Sequence, residues 1–245
     1  MRGIKMLAVL HLVGNALLLW LGYYWLGIGE ASVAALLWGA LVGLVVLAGA
    51  CWLHGGTLAW FRAPLEPGVF RKTLARLLPL AVAVLAIGVV YYFVGRLREW
   101  SADPGYSLAS WLTLKLRKPV KPAAVLRAFD VVFWIVRWAV VPVFVVPLAA
   151  DLASNGWSGL RAFGRLAGKW LYWIEAPVLL VCAIRAPLAL IGWVPPVGGF
   201  SMEMASFVAR LAAAYLLFTA SWLVLEFVTS GGKPVFSQPT TADKP

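Results

Sequence analysis

Residues Val33–Phe61 read VAALLWGALVGLVVLAGACWLHGGTLAWF, twenty-nine positions without one Asp, Glu, Lys or Arg. At 1.5 Å per residue a helix over this run is about 43 Å long, more than the ~30 Å hydrocarbon layer of a bilayer. The run reads as a membrane-spanning helix stopped by Arg62, Pro64 and Pro67, where charge and proline end the pattern.

Similar runs surround it. Ile4–Ile28 comes before it, and Leu74–Gly95, Arg127–Ala150, Trp170–Val194 and Met204–Val228 follow. The composition of the 245 residues agrees: 62% are hydrophobic, 13% are charged, and mean hydropathy is +0.87. An ordinary soluble domain is near half apolar and a quarter charged, so most soluble enzyme folds are excluded. The expected object is an all-α polytopic transmembrane bundle of about six spans over residues 1–229. A polar tail, 230–245, has no core-forming pattern and is expected to be disordered. The basic start of the first run resembles a signal peptide. Its apolar stretch exceeds an ordinary h-region and a second span follows at once, so it is expected to stay in the protein. Trp60, Trp100, Trp170 and Trp193 fall near span ends, at the level of the lipid headgroups.

Cys51 and Cys182 lie in apolar runs and imply no disulfide framework. The formal charge of +11 points to anionic membrane lipids as partners, because the cations flank hydrophobic runs and no nucleic-acid module is visible. With the N-terminus in the cytoplasm, eleven Lys and Arg fall on inner segments and seven on the outer loop between Arg96 and Arg127. Cytoplasmic excess is the usual bias, and a plasma membrane or bacterial inner membrane is the expected location. The outer loop is the misfit, since it carries Lys115, Arg117, Lys118 and Lys121. Tyr106–Leu116, with Leu108, Trp111, Leu112 and Leu116 at helical spacing, is expected to lie in the interface between spans three and four and pin those cations to headgroups. A re-entrant fourth span, bent at Pro142 and Pro147, is the alternative.

Arg137, Arg185 and Arg210 fall inside spans, each about 10–15 Å below the outer surface by residue count. Embedded arginines cost about 2.5–3.5 kcal/mol each on insertion scales, so they are expected to turn inward. Two readings follow. The three guanidiniums converge on an anion or a lipid phosphate, or they are neutralised by Asp130, Glu175 and Glu203 on neighbouring helices.

Other polar signals are weaker. His11 and Asn15, one turn apart, suit a hydrogen bond to a neighbouring helix better than a proton relay. His54 follows Cys51 by three residues, which is too few ligands for a metal, so no metal and no cofactor is expected. Gly39 and Gly43 form a GxxxG step for close helix packing, inside the monomer rather than in a homodimer; Ala205 and Ala209 are a softer version. The connectors Gly68–Leu77 and Gly159–Leu166 share Arg among apolar residues, a likeness that short amphipathic connectors explain without an internal repeat. Zinc-protease, CxxC, Walker and dinucleotide motifs are absent. Gly156–Gly159 spell GxSG, the nucleophile motif of rhomboid proteases, but the match covers four residues of a connector and no His follows to act as base.

The expected function is that of a non-enzymatic membrane component that assembles with a membrane-protein partner or a second copy. A transporter or lipid-handling protein built on Arg137, Arg185 and Arg210 is the alternative. Either way, lipid and not nucleic acid is the surrounding partner.

Overall fold

The computed structural model describes residues 2–29, 31–64, 66–196 and 198–231. The expected polar tail lies, from residue 232 on, outside the described residues. The described chain is helical and contains no strand. Helix α1 (Arg2–Leu26) pairs with α2 (Val33–Arg62), whose first turn is capped by the Ser32 hydroxyl accepting from the Ala35 amide at 3.1 Å. A short α3 (Val69–Leu74) leads through a turn into α4 (Leu77–Trp100) and then α5 (Ala102–Leu116). Helix α6 (Pro122–Ile135) runs through a π turn (Val136–Val140) into α7 (Val141–Asn155), followed by a 3-10 helix (Gly156–Ala162). Helix α8 (Tyr172–Leu180) likewise continues through a π turn (Val181–Arg185) into α9 (Ala186–Gly192), and α10 (Phe200–Thr229) ends the described chain.

Among the described residues, six helical stretches are long and apolar enough to cross a bilayer: Gly3–Leu26, Val33–Arg62, Leu77–Trp100, Pro122–Ala162, Tyr172–Gly192 and Phe200–Thr229. The all-α bundle of six spans read from hydropathy is the fold, and it suits a multi-pass membrane protein. Boundaries differ where turn chemistry intervenes. The third span starts at Leu77, because the chain turns at Ala75 and Arg76 after α3. The fourth starts at Pro122, which sits at the first helical position where its missing N–H costs nothing. Pro142 and Pro147 do not reverse that span, which is helical from Pro122 to Asn155; the π turn absorbs the lost hydrogen bond.

The segment expected at the interface is the full helix α5, ended by Arg117 in the left-handed region at φ 53°. Trp111 and Leu116 of the expected apolar face point outward, and small residues form the face that packs on the protein. Gly105 and Ala109 press against α6, with the Leu126 side chain over Gly105, while Trp111, Leu114 and Leu116 stay exposed beside the cations. Small residues let the α5–α6 hairpin close, and the bulky ones face outward.

The two ends of the bundle are unlike. One end gathers the start of α1, the end of α2, α3, the end of α7, the start of α8 and the end of α10; this is called the near end. The α4–α5 junction, the start of α6 and the end of α9 form the far end. The core sits at the near end. Cys51, Ala59, Val69, Leu80, Leu152 and Ala153 make one cluster there. Backbones approach closely in it, since a Cβ on Gly56 would strike the Phe70 ring. Buried ions reinforce it. Asp151, 3% exposed, holds Arg62 at 2.7 Å and Arg165 at 3.4 Å, and Arg62 also donates to the Ala150 carbonyl at 2.8 Å. In the turn after α2, the Lys72 ammonium beside Glu66 holds that carboxyl below the usual carboxylate range.

Candidate functional site

The two π turns are also where Arg137 and Arg185 sit. Pro142 and Pro187 each follow a π turn by two residues and bring no N–H to the helical ladder. The Val141 amide donates to Val136, five residues back, and the Ala186 amide does the same to Val181. In an α-helix the Val141 amide would go to Arg137, so the Arg137 carbonyl is left without that partner. The Tyr91 hydroxyl of α4 donates to it at 2.9 Å, and the Arg137 guanidinium lies 5.8 Å from the Tyr91 ring centroid. Tyr91 therefore fixes both the backbone and the charged end of Arg137.

Arg137 and Arg185 line one cleft of about 520 Å³ between α4, the α6–α7 span and α9, together with Arg98, Asp130, Trp134 and Trp138. The Asp130 carboxylate accepts from Arg98 Nε at 2.7 Å. Among the described residues, neither Arg137 nor Arg185 has a carboxylate within 4.0 Å. The cleft thus holds one internal ion pair and two further positive charges. At 1.5 Å per residue Arg185 lies about 10 Å from the end of α9, and Tyr91, under Arg137, about 14 Å from the end of α4. Both depths fall inside a hydrocarbon layer if the far end lies at its boundary.

Several expectations need correction. Arg137 and Arg185 are exposed at the side of the bundle instead of being enclosed in its interior. Arg210 does not join them. Its guanidinium donates to the Ile191 carbonyl at 2.8 Å and to the Trp193 carbonyl, capping the end of α9, and it lines a separate cleft of about 250 Å³ with Glu203. The acids do not neutralise the arginines as the ion-pair reading required: Asp130 is taken by Arg98, Glu203 makes no ion pair within 4.0 Å among the described residues, and Glu175 lies at the near end beside Lys169.

Lys115, Arg117, Lys118 and Lys121 are all exposed, at the end of α5 and in the loop after it. Gly39 and Gly43 face α1, where the Trp25 indole lies over Gly43 at 3.3 Å from the position of a Cβ. The GxSG stretch has a structural use: Gly156 adopts φ 59°, and a Cβ on Gly159 would strike the Asp151 carbonyl. Ser158 donates its hydroxyl proton to the Asn155 carbonyl at 2.7 Å.

A second polar centre escaped the sequence reading. His11 from α1, His54 from α2 and Glu226 from α10 meet at the near end. Glu226 gave no motif, and it follows its partner His54 by 172 residues. One signal was available: an acid in an apolar stretch, sixteen residues from the nearest charge of its span at Arg210, needs a partner, and the chain has only two histidines. Comparisons of the chain with family models, curated proteins and solved structures give no match.

Proposed function

We propose that this multi-pass membrane protein binds an anionic group, a lipid phosphate headgroup or a small amphipathic anion, in the cleft lined by Arg137 and Arg185, and that it handles this ligand without transforming it. The carrying observation is that the two guanidiniums share a cleft in which Asp130, the one carboxylate among the described lining residues, is already held by Arg98. Two such charges at hydrocarbon depth cost about 2.5–3.5 kcal/mol each, so an anion that satisfies both is strongly favoured. Guanidinium forks bind phosphate or carboxylate oxygens bidentately, and Trp134 and Trp138 offer apolar walls to an acyl chain. Arginine stays charged under all working conditions, which suits binding better than proton transfer. The exposed cations at the end of α5 and after it would hold the far end at the headgroup layer, and the excess of cations on the other segments supports a cytoplasmic N-terminus in a plasma or bacterial inner membrane.

The lateral opening of the cleft supports a second reading. A partner helix, or a second copy, carrying a carboxylate could fill it, making the protein an assembly component.

Native mass spectrometry of the purified protein with phosphatidylglycerol, phosphatidylcholine and inorganic phosphate separates these readings. The expected result is at least a tenfold preference for phosphatidylglycerol that is lost in Arg137→Gln with Arg185→Gln, while Arg210→Gln retains it. Competition by inorganic phosphate would identify the anion alone as the ligand. An undiminished lipid preference in the double variant overturns the proposal, and loss of a co-purifying subunit in that variant favours the assembly reading.

A further inference from the structure

The polar centre at the near end is independent of the arginine cleft, and its parts are unusual for the inside of a span. His11 is fully buried, Glu226 is 1% exposed, and the His54 side chain is a quarter exposed. His54 Nδ1 lies 2.7 Å from Glu226 Oε1, and His11 Nε2 lies 3.5 Å from Glu226 Oε2. One ligand atom from each of the three residues falls within 4.8 Å of the other two. Glu226 Oε2 is buried with no hydrogen-bond partner among the described residues. A buried carboxylate oxygen without a partner carries a desolvation penalty that a cation would remove.

We infer that His11 Nε2, His54 Nδ1 and the Glu226 carboxylate form a binding site for a divalent first-row transition ion, of which Zn²⁺ is the best fit to two imidazoles and one carboxylate. Zinc bonds to nitrogen and oxygen are about 2.0–2.2 Å, so a tetrahedral ion sets its ligands about 3.3 Å apart, within the spread of separations seen here. Mixed imidazole and carboxylate ligation discriminates against Mg²⁺ and Ca²⁺, which take oxygen ligands.

Neighbouring groups are arranged to suit the ion. Thr57 donates its hydroxyl proton to the Leu53 carbonyl at 2.8 Å, so it presents only oxygen lone pairs to His11 Nε2, 2.7 Å away. Without a metal those lone pairs accept the Nε2 proton. With one, that proton is absent and the same oxygen is free to be a fourth ligand or to accept from a bound water. Metallation of Nε2 puts the His11 proton on Nδ1, where Asn15 stands 3.4 Å away with an amide whose oxygen can turn to accept it. His54, the one partly exposed ligand, gives the ion its route in, beside the Trp222 ring at 5.4 Å. The three ligands come from α1, α2 and α10, so the ion would tie together helices far apart in the chain.

The test uses the detergent-solubilised full chain with any affinity tag removed. Zn²⁺ is expected to bind at one ion per chain by elemental analysis after dialysis. Co²⁺ is expected to give the intense visible d–d bands of a four- or five-coordinate ion, chased by Zn²⁺. His54→Ala, at the partly exposed position, and Glu226→Gln should each weaken Co²⁺ binding at least 100-fold. Zinc X-ray absorption of the unaltered protein should show two imidazole ligands, a readout that does not depend on the variants folding. Sub-stoichiometric metal, six-coordinate Co²⁺ spectra, or binding that survives both substitutions overturns the inference and leaves a hydrogen-bonded cluster that only joins helices.

Discussion

At the residue scale the near end depends on acids that hydropathy cannot place. Asp151 serves two guanidiniums, one from the last turn of α2 and one from the connector before α8, and Arg62 Nη2 and Asp151 Oδ2 lie buried without further partners among the described residues. Removing one member of such a group leaves the other charge buried and uncompensated. Asp151→Ala is therefore expected to destabilise the protein by about 3–5 kcal/mol, read as a lower thermal unfolding midpoint in detergent. Replacing Arg161, an exposed neighbour, should leave the midpoint within about 0.5 kcal/mol of the parent. Neither Asp151 nor Glu226 was singled out in the sequence, because their partners lie far away along the chain and no periodicity links them. Arg137 and Arg185 were legible, since a lone charge in an apolar run stands out, but their surface exposure and the separate fate of Arg210 depend on how helices rotate in the bundle. The sequence offers no local sign of that rotation.

At the element scale the prolines gave a signal whose meaning only packing could settle. Pro142 and Pro147 announce a disturbed helix, and the disturbance could have been a kink, a re-entrant turn or a π turn. The π turn wins because Tyr91 of α4 is in place to accept the backbone debt by donating to the Arg137 carbonyl. Tyr91→Phe keeps the aromatic ring beside the guanidinium and removes only that bond. It is expected to cost about 0.5–1.5 kcal/mol of stability, and to weaken phosphatidylglycerol retention several-fold in native mass spectrometry as Arg137 loses its fixed position. Equal retention in the variant and the parent would show that the π turn positions nothing for the ligand. The spans themselves were legible almost to their ends, since hydropathy over about 20 residues is a local property, whereas α3, the Pro122 start and the small-residue face of α5 rest on turn chemistry and contact.

At the scale of the whole molecule, six crossings put the start of α1 and the end of α10 on one side and α5 on the other. Contacts agree with this arrangement: Ser230 donates to the Leu58 carbonyl near the end of α2, and the Tyr215 hydroxyl donates to Leu12 in α1. The arrangement sends seven cations, those from Arg96 to Arg127, to the side opposite the larger set. That is tolerable when a helix with exposed Trp111, Leu114 and Leu116 lies in the headgroup layer and its cations meet lipid phosphates there. Two single-cysteine variants decide the matter. In a chain whose Cys51 and Cys182 are replaced by alanine, Lys118→Cys and Gly231→Cys should react with a membrane-impermeant maleimide from opposite faces of sealed vesicles. Gly231→Cys should face the cytoplasmic side. Labelling of both from one face would mean an even number of crossings between them instead of the three spans Pro122–Ala162, Tyr172–Gly192 and Phe200–Thr229, and the depths assigned to Arg137 and Arg185 would fall with it. Labelling from opposite faces but with Lys118→Cys on the cytoplasmic side would keep the six crossings and invert them. The arginine cleft would then open to the inner leaflet, where anionic lipid is abundant and the attraction for a phosphate headgroup is strengthened.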